Sequence, residues 1–197
     1  MSNVLIDDLP DSVEIGGEVY PIYTDFRPAL RVILAFEDPD LAEIEKHGIL
    51  LANLYETVPN NYAEALRMGM KFLNCGETNS AEESGPRLYS FSQDARFIFS
   101  AFQQTHGIDL ETADMHWWKF SALFMDLGSE TTFCQMVSLR KRVLTGKATK
   151  EERQVYSEIR DIIELDQTGS KSLEDRELEA KFLNLVKEKK NGRHRSE

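Results

Sequence analysis

Two imidazoles and two carboxylates, His106, Asp109, Asp114 and His116, fall within one short stretch. Such groups could hold a divalent metal. Zinc sites, however, draw on ligands at recurring spacings such as H-E-x-x-H, and this stretch has none of them. A structural reading fits better. His106 ends a helix, where a partial positive charge suits the dipole. Asp109 or Thr112 caps the next helix, with Asp114 in its first turn. Cys134 lies on an apolar face with Phe133 and Val137. A nucleophilic cysteine needs a positioned base, and no residue is nominated for that role. Cys75 reads as an exposed thiol beside a loop. Gly146–Lys147 has the look of a phosphate-loop ending, but that motif needs Gly and Ser or Thr where Lys141 and Ala148 stand. The acidic pairs Asp7–Asp8 and Glu82–Glu83 read as solvated surface. The expectation is a protein without catalytic residues, cofactor or metal.

Two features carry more interest. Trp117–Trp118 opens a segment, with Phe120, Ala122, Leu123, Phe124, Met125 and Leu127, that is apolar in nearly every direction around a helix. Such a helix is buried, either centrally or against a partner. Core is the favoured role; a partner face at Trp117, Trp118 and Phe120 is the rival, since Trp is enriched at binding hot spots. The other feature is a C-terminal amphipathic segment from about Leu173 to Lys190, with Leu178, Phe182, Leu185 and Val186 on one face. It cannot bury that face alone, so it docks on the body, pairs with another copy or binds a partner.

The elements that position these residues follow from patterning. Val13–Ile15 and Glu18–Tyr20 flank Gly16–Gly17, a pair suited to a two-residue hairpin turn. Val13, Ile15, Val19 and Ile22 would supply its buried face, and Pro21 marks an edge. Helices follow. Pro28–Phe36 places Leu30, Ile33 and Leu34 in register. Asp38 with Pro39 reads as an N-cap ahead of Leu41, Ile44, Leu51 and Leu54. Asn61 with Glu64 resembles a capping box before Ala65, Met68 and Phe72. Asn74–Arg87 reads as an exposed loop. Phe97, Ile98, Ala101 and Phe102 line a helix ending at His106–Gly107. Beyond Gly128–Ser129, Phe133, Met136, Val137, Val143 and Leu144 line another. Thr149 with Glu152 makes a second capping box before Val155, Ile159, Ile162 and Ile163. The expected architecture is mainly α: a helical bundle-like domain with a small N-terminal β-hairpin and a C-terminal amphipathic helix. The expected parts are a flexible 1–12, a domain over 13–167 with a loop at 74–90, and a linker and extension over 168–197.

Composition sets the outer bounds. The chain has 197 residues, 41% of them hydrophobic, and a formal net charge of −11. Residues 1–135 carry 22 acids against 8 bases, and the last 62 carry 12 against 15. An acidic body leading into a slightly basic end disfavours nucleic acid and anionic membranes. The first eight residues lack the basic start and apolar stretch of a signal peptide. Two cysteines make no disulfide scaffold, so a reducing, cytoplasmic setting is expected.

Several of these residues also resemble a known family. His106–Gly107–Ile108–Asp109–Leu110, then Met115–His116–Trp117–Trp118–Lys119–Phe120, is similar to the signature of the phage gp-fifteen family, and the helix ending Ser138–Leu139–Arg140 resembles its next element. Tyr23–Thr24–Asp25–Phe26–Arg27 resembles the extended segment before that family's first helix. The resemblance covers most of 13–166. It implies a protein from the tail module of long-tailed phages and prophages of Gram-positive bacteria. The role implied is a tail assembly chaperone in the host cytoplasm that binds the tape-measure protein and helps recruit tail-tube subunits, the major tail protein. The alternative is a structural virion component, such as a head–tail connector or tail completion protein. Homo-oligomerisation is a further expectation, from the opposed charges of body and extension.

Overall fold

The computed structural model describes residues 5–77 and 85–165. Among them the chain forms one antiparallel hairpin, β1 (Ser12–Ile15) and β2 (Glu18–Pro21), followed by helices. These are α1 (Phe26–Glu37), α2 (Glu43–Leu54), α3 (Tyr62–Leu73), α4 (Ala95–His106), α5 (Trp117–Met125), α6 (Thr132–Leu144), α7 (Lys150–Glu158) and the single turn α8 (Arg160–Ile163). The mainly helical class and the small hairpin are as the sequence predicts. The expected C-terminal helix, with Leu178, Phe182, Leu185 and Val186, lies outside the described residues.

Gly16 and Gly17 both take positive φ, 61° and 85°, which is why this tight turn needs glycine. The turn sets the register Ile15↔Glu18, Val13↔Tyr20 and Glu14↔Val19. Directly opposed residues share a face. Tyr20 therefore joins Val13 and Ile15 toward α3, while Val19 points outward and is 69% exposed. The expected inward Val19 is thus corrected. Ile15 and Ile22 are buried as expected. The expected flexible stretch 1–12 is tied down at its end, because Ile22 N–H donates to the Asp11 carbonyl at 2.9 Å.

Helix starts are chosen by local hydrogen bonds. Asp25 caps α1, its Oδ1 accepting from the Arg27 N–H at 2.9 Å. The most buried face of α1 is Phe26, Ala29, Val32 and Ala35; of the expected stripe, Leu30 and Ile33 pack against the core beside it and Leu34 is exposed. Asp38 does not begin a helix. It ends α1 and turns the chain, its Oδ1 accepting from the Asp40 N–H at 2.9 Å. Helix α2 starts later, where the Glu45 carboxylate reaches back to the Ala42 N–H at 2.9 Å. Its buried positions are Lys46, Leu50 and Leu54, so Ile44 from the expected stripe is exposed. The capping box at Thr149 forms as expected, with Glu152 N–H donating to Thr149 Oγ1 at 3.1 Å; at Asn61 only the cap half forms, and the Glu64 carboxylate accepts from the Asn61 side-chain amide at 2.9 Å instead of from its backbone.

The core gathers where α1, α4, α5 and α6 meet. Phe120 of α5 stacks on Phe26 of α1 at 4.9 Å and on Phe102 of α4 at 4.8 Å between ring centroids. Phe124 extends the aromatic column to Phe133 of α6 at 5.5 Å. Helix α5 is buried on one side rather than all round. Trp117, Phe120 and Phe124 face inward at i, i+3 and i+7, while Met125 is 79% exposed. Among the described residues no helix is long and apolar enough to cross a membrane.

Candidate functional site

Three stretches far apart in sequence meet at the start of α5. The extended residues before α1 pair with the residues before α5, in an antiparallel bridge Asp25↔His116. Phe26 N–H donates to the Met115 carbonyl at 3.0 Å, and Trp117 N–H to the Thr24 carbonyl at 2.7 Å. Arg27 reaches across, its Nη2 donating to the carbonyls of Leu110 at 2.9 Å and Glu111 at 3.0 Å. Short extended segments leave backbone groups unpaired unless something faces them. Here each segment supplies the other's partners.

His116 is the hinge pin of this junction. Its Nδ1 accepts from the Trp118 N–H at 3.0 Å and so caps α5. Its Nε2 faces the Pro10 carbonyl at 3.0 Å, and with Nδ1 accepting, the ring proton sits on Nε2 and is donated there. The cap expected from Asp109 or Thr112 is therefore supplied by His116. Asp109 instead turns its own loop, Oδ1 accepting from the Glu111 N–H at 2.9 Å. His106 closes α4, followed by Gly107 at φ 66°, with its Nε2 3.0 Å from the Leu123 carbonyl. Each imidazole is thus engaged with backbone. Among the described residues no three His, Cys, Asp or Glu side chains converge as a metal would require.

The paired tryptophans reach the end of α3. Trp117 Nε1 donates to the Leu73 carbonyl and Trp118 Nε1 to the Phe72 carbonyl, each at 2.9 Å. Helix C-termini leave carbonyls without intrahelical donors, and the two indoles supply them. The chain passes under Trp118 at Gly76, whose φ is 87° and where a Cβ would lie 3.0 Å from the ring. Only glycine meets both demands. The two indoles are not equivalent. The Phe72 carbonyl also receives the Cys75 N–H at 3.0 Å and its bond to Trp118 is partly buried, whereas the Leu73–Trp117 bond is buried. Trp117→Phe should therefore cost about 1–3 kcal/mol, by leaving a buried acceptor unmade, and Trp118→Phe distinctly less. Urea unfolding of the two variants checks this; equal losses would contradict it.

A second polar cluster was not anticipated. Arg140 and Asp94 are each 1% exposed and meet in a two-pronged ion pair, Nη1–Oδ2 at 2.7 Å and Nη2–Oδ1 at 2.9 Å. Arg140 also donates from Nε to the Ile163 carbonyl at 2.5 Å and from Nη1 to the Leu88 carbonyl at 3.1 Å. Asp94 Oδ2 accepts the Ser90 N–H at 3.1 Å. Ser90 Oγ in turn donates to Glu37 Oε2 at 2.7 Å. Glu37 also accepts the Phe91 N–H and pairs with Arg87 at 2.8 Å. One network thus joins α1, residues 87–94, α4, α6 and α8. Ser90 is buried just beyond the expected exposed loop Asn74–Arg87. The signal in the sequence was faint: Arg140 falls at i+4 from Met136 and i+7 from Phe133, on the buried face of α6.

The residues nominated for partner contact divide three ways. Trp117 and Phe120 are 4% and 1% exposed and serve the core, so neither offers a surface in this fold. Trp118 is half-buried against α3. Leu178, Phe182, Leu185 and Val186 lie outside the described residues. Cys75 is half-buried rather than exposed, at φ 54°, and burial pushes its thiol up from the usual value. Cys134 is half-buried, its Sγ 3.4 Å from the Leu127 carbonyl.

The sequence model of a family described as Bacteriophage Gp15 protein matches residues 5–165. No curated protein and no solved structure matches the chain.

Proposed function

The chain belongs to the Bacteriophage Gp15 protein family, which points to a phage structural or virion-associated protein, and from that premise we propose that it acts as a tail assembly chaperone. In this reading it binds the tape-measure protein, keeps that long helical client soluble in the host cytoplasm, and helps bring the major tail protein to it. It performs no catalysis. The observation that carries the reading is the family match across the whole described body.

Two physical features support it. The acidic bias of residues 1–135 would keep a complex with an apolar client dispersed. The described body also presents single large apolar side chains on its outer helical faces, among them Leu34, Ile44, Tyr62 and Met70. An amphipathic client helix is read by such spaced anchors. Co-expression with the tape-measure protein from the same phage should move that client into the soluble fraction, bound to this chain. A client that is equally insoluble with and without it would contradict the proposal. Mass spectrometry of purified particles separates the alternative, since a connector or completion protein stays in the virion.

A further inference from the structure

The described body has two ends of opposite charge. Residues 5–24 carry five acids, Asp7, Asp8, Asp11, Glu14 and Glu18, and no base, and all five acids are exposed. Counting also Asp25, Arg27 and helix α3, on which the hairpin packs, this end holds 7 acids against 3 bases. Residues 138–150 are the reverse, with five bases and no acid. Arg140 is buried on Asp94 and Arg142 pairs with Glu152, while Lys141, Lys147 and Lys150 are exposed. Over 132–158 as a whole the balance is 6 bases against 3 acids.

The fold keeps these ends apart. The hairpin leads directly into the N-terminus of α1. The last turns of α6 are tied instead to the C-terminus of α1, since Arg140 holds Asp94, Asp94 accepts from Ser90 and Ser90 donates to Glu37. Helix α1 has 12 residues and is about 18 Å long. Surface charges that far apart lie beyond the physiological screening length of about 8 Å, so one molecule cannot match its own two ends. Each end also offers an apolar side chain among its charges. Val19 is exposed on the outward face of the hairpin, directly across from Glu14 and next to Glu18. Leu144 is half-exposed, one helical turn beyond Lys141 and just before the turn that carries Lys147.

We propose that the partner of both ends is a second copy of this chain. The hairpin of one copy docks on the α6–α7 turn of the next, Val19 against Leu144, with Glu14 and Glu18 facing Lys141, Lys147 and Lys150. Charge selects this occupant and its direction. Copies that are acidic overall repel when like ends meet, and the head-to-tail arrangement brings opposite potentials together. The two surfaces differ, so the contact is heterologous and repeats into a ring or an open chain. It is small and built on exposed ions, so it forms reversibly and weakens in salt.

Sedimentation velocity of the full-length protein tests this, at roughly 0.1 mM protein, where a contact with Kd of about 10 μM is mostly formed. The mean mass should exceed that of a monomer in about 0.01 M salt and return to it in about 1 M, as the screening length falls from about 30 Å to about 3 Å. Glu14→Lys with Glu18→Lys, and separately Lys147→Glu with Lys150→Glu, should each give a monomer in low salt. Melting temperatures should stay within about 2 °C of the unchanged chain, because all four residues are exposed. Mixed one to one, the two variants should associate again, because each reversed end now meets its complement. Three results overturn the proposal: an unchanged chain that stays monomeric in low salt, a variant that still associates alone as the unchanged chain does, or a mixture that stays monomeric.

Discussion

Arg140→Met lowers the stability of this protein by about 3–5 kcal/mol, the usual effect of breaking a buried ion pair from one side. The size follows from what is left behind. The Asp94 carboxylate stays 1% exposed with its counter-charge gone, and the carbonyls of Ile163 and Leu88 each lose a charged donor. Exposed pairs here, such as Arg67 with Glu64, are worth far less, because water screens them and their side chains stay free. For a chain of this length the loss corresponds to a fall in melting temperature of about 6–20 °C. Arg140→Lys should recover only part, since an ammonium cannot match both carboxylate oxygens and two carbonyls at once. Replacing Asp94 and Arg140 together with Leu and Met should be milder than Arg140→Met alone, because no charge is left unmatched. Thermal melts of the variants check the ordering. A loss below about 1 kcal/mol for Arg140→Met would show that the network does not hold the five segments together.

Phe120→Ala should be comparably damaging, at about 3–5 kcal/mol, for a different reason. The ring is 1% exposed and touches aromatic side chains from three helices: Phe26, Phe102, and Trp117 and Phe124 of its own α5. Truncation removes those contacts and leaves a cavity that stacked, rigid rings are slow to fill. The outcome bears on function too. A residue kept for partner contact would tolerate Ala in the isolated protein and fail only in binding. Phe120→Ala should instead lose stability alone, seen as an earlier midpoint in denaturant with the near-ultraviolet aromatic signal lost at lower temperature.

Much of the fold was legible because short-range physics decides it. Gly16–Gly17 could only be a tight turn, and Asn61 and Thr149 carry cap and partner within one helical turn. The errors lie where tertiary contacts choose between local options. The turn length already dictated that Val19 oppose Glu14, so its outward orientation was available from the register but masked by its hydrophobicity. Asp38–Pro39 satisfies the rules for a helix start and for a turn alike. Only the packing of α1 against α2 selects the turn. The pairing of Asp25 with His116 joins residues 91 positions apart, and no local pattern announces it. Arg140 was hidden for the same reason, since its partner lies 46 residues away, just before the start of α4. The family-like segments stood out in sequence as motifs. In space two of them, Tyr23–Arg27 and Met115–Phe120, form one junction, with Arg27, His116 and the two indoles tying backbone to backbone.

That junction gives the motif a structural meaning. The most direct measurement of the central claim is the fraction of tape-measure protein that stays soluble and co-purifies with tagged full-length protein when the two are co-expressed. The account predicts that most of the client becomes soluble and elutes with this chain as a defined complex. A client that remains in the pellet, with this chain eluting alone, would contradict it.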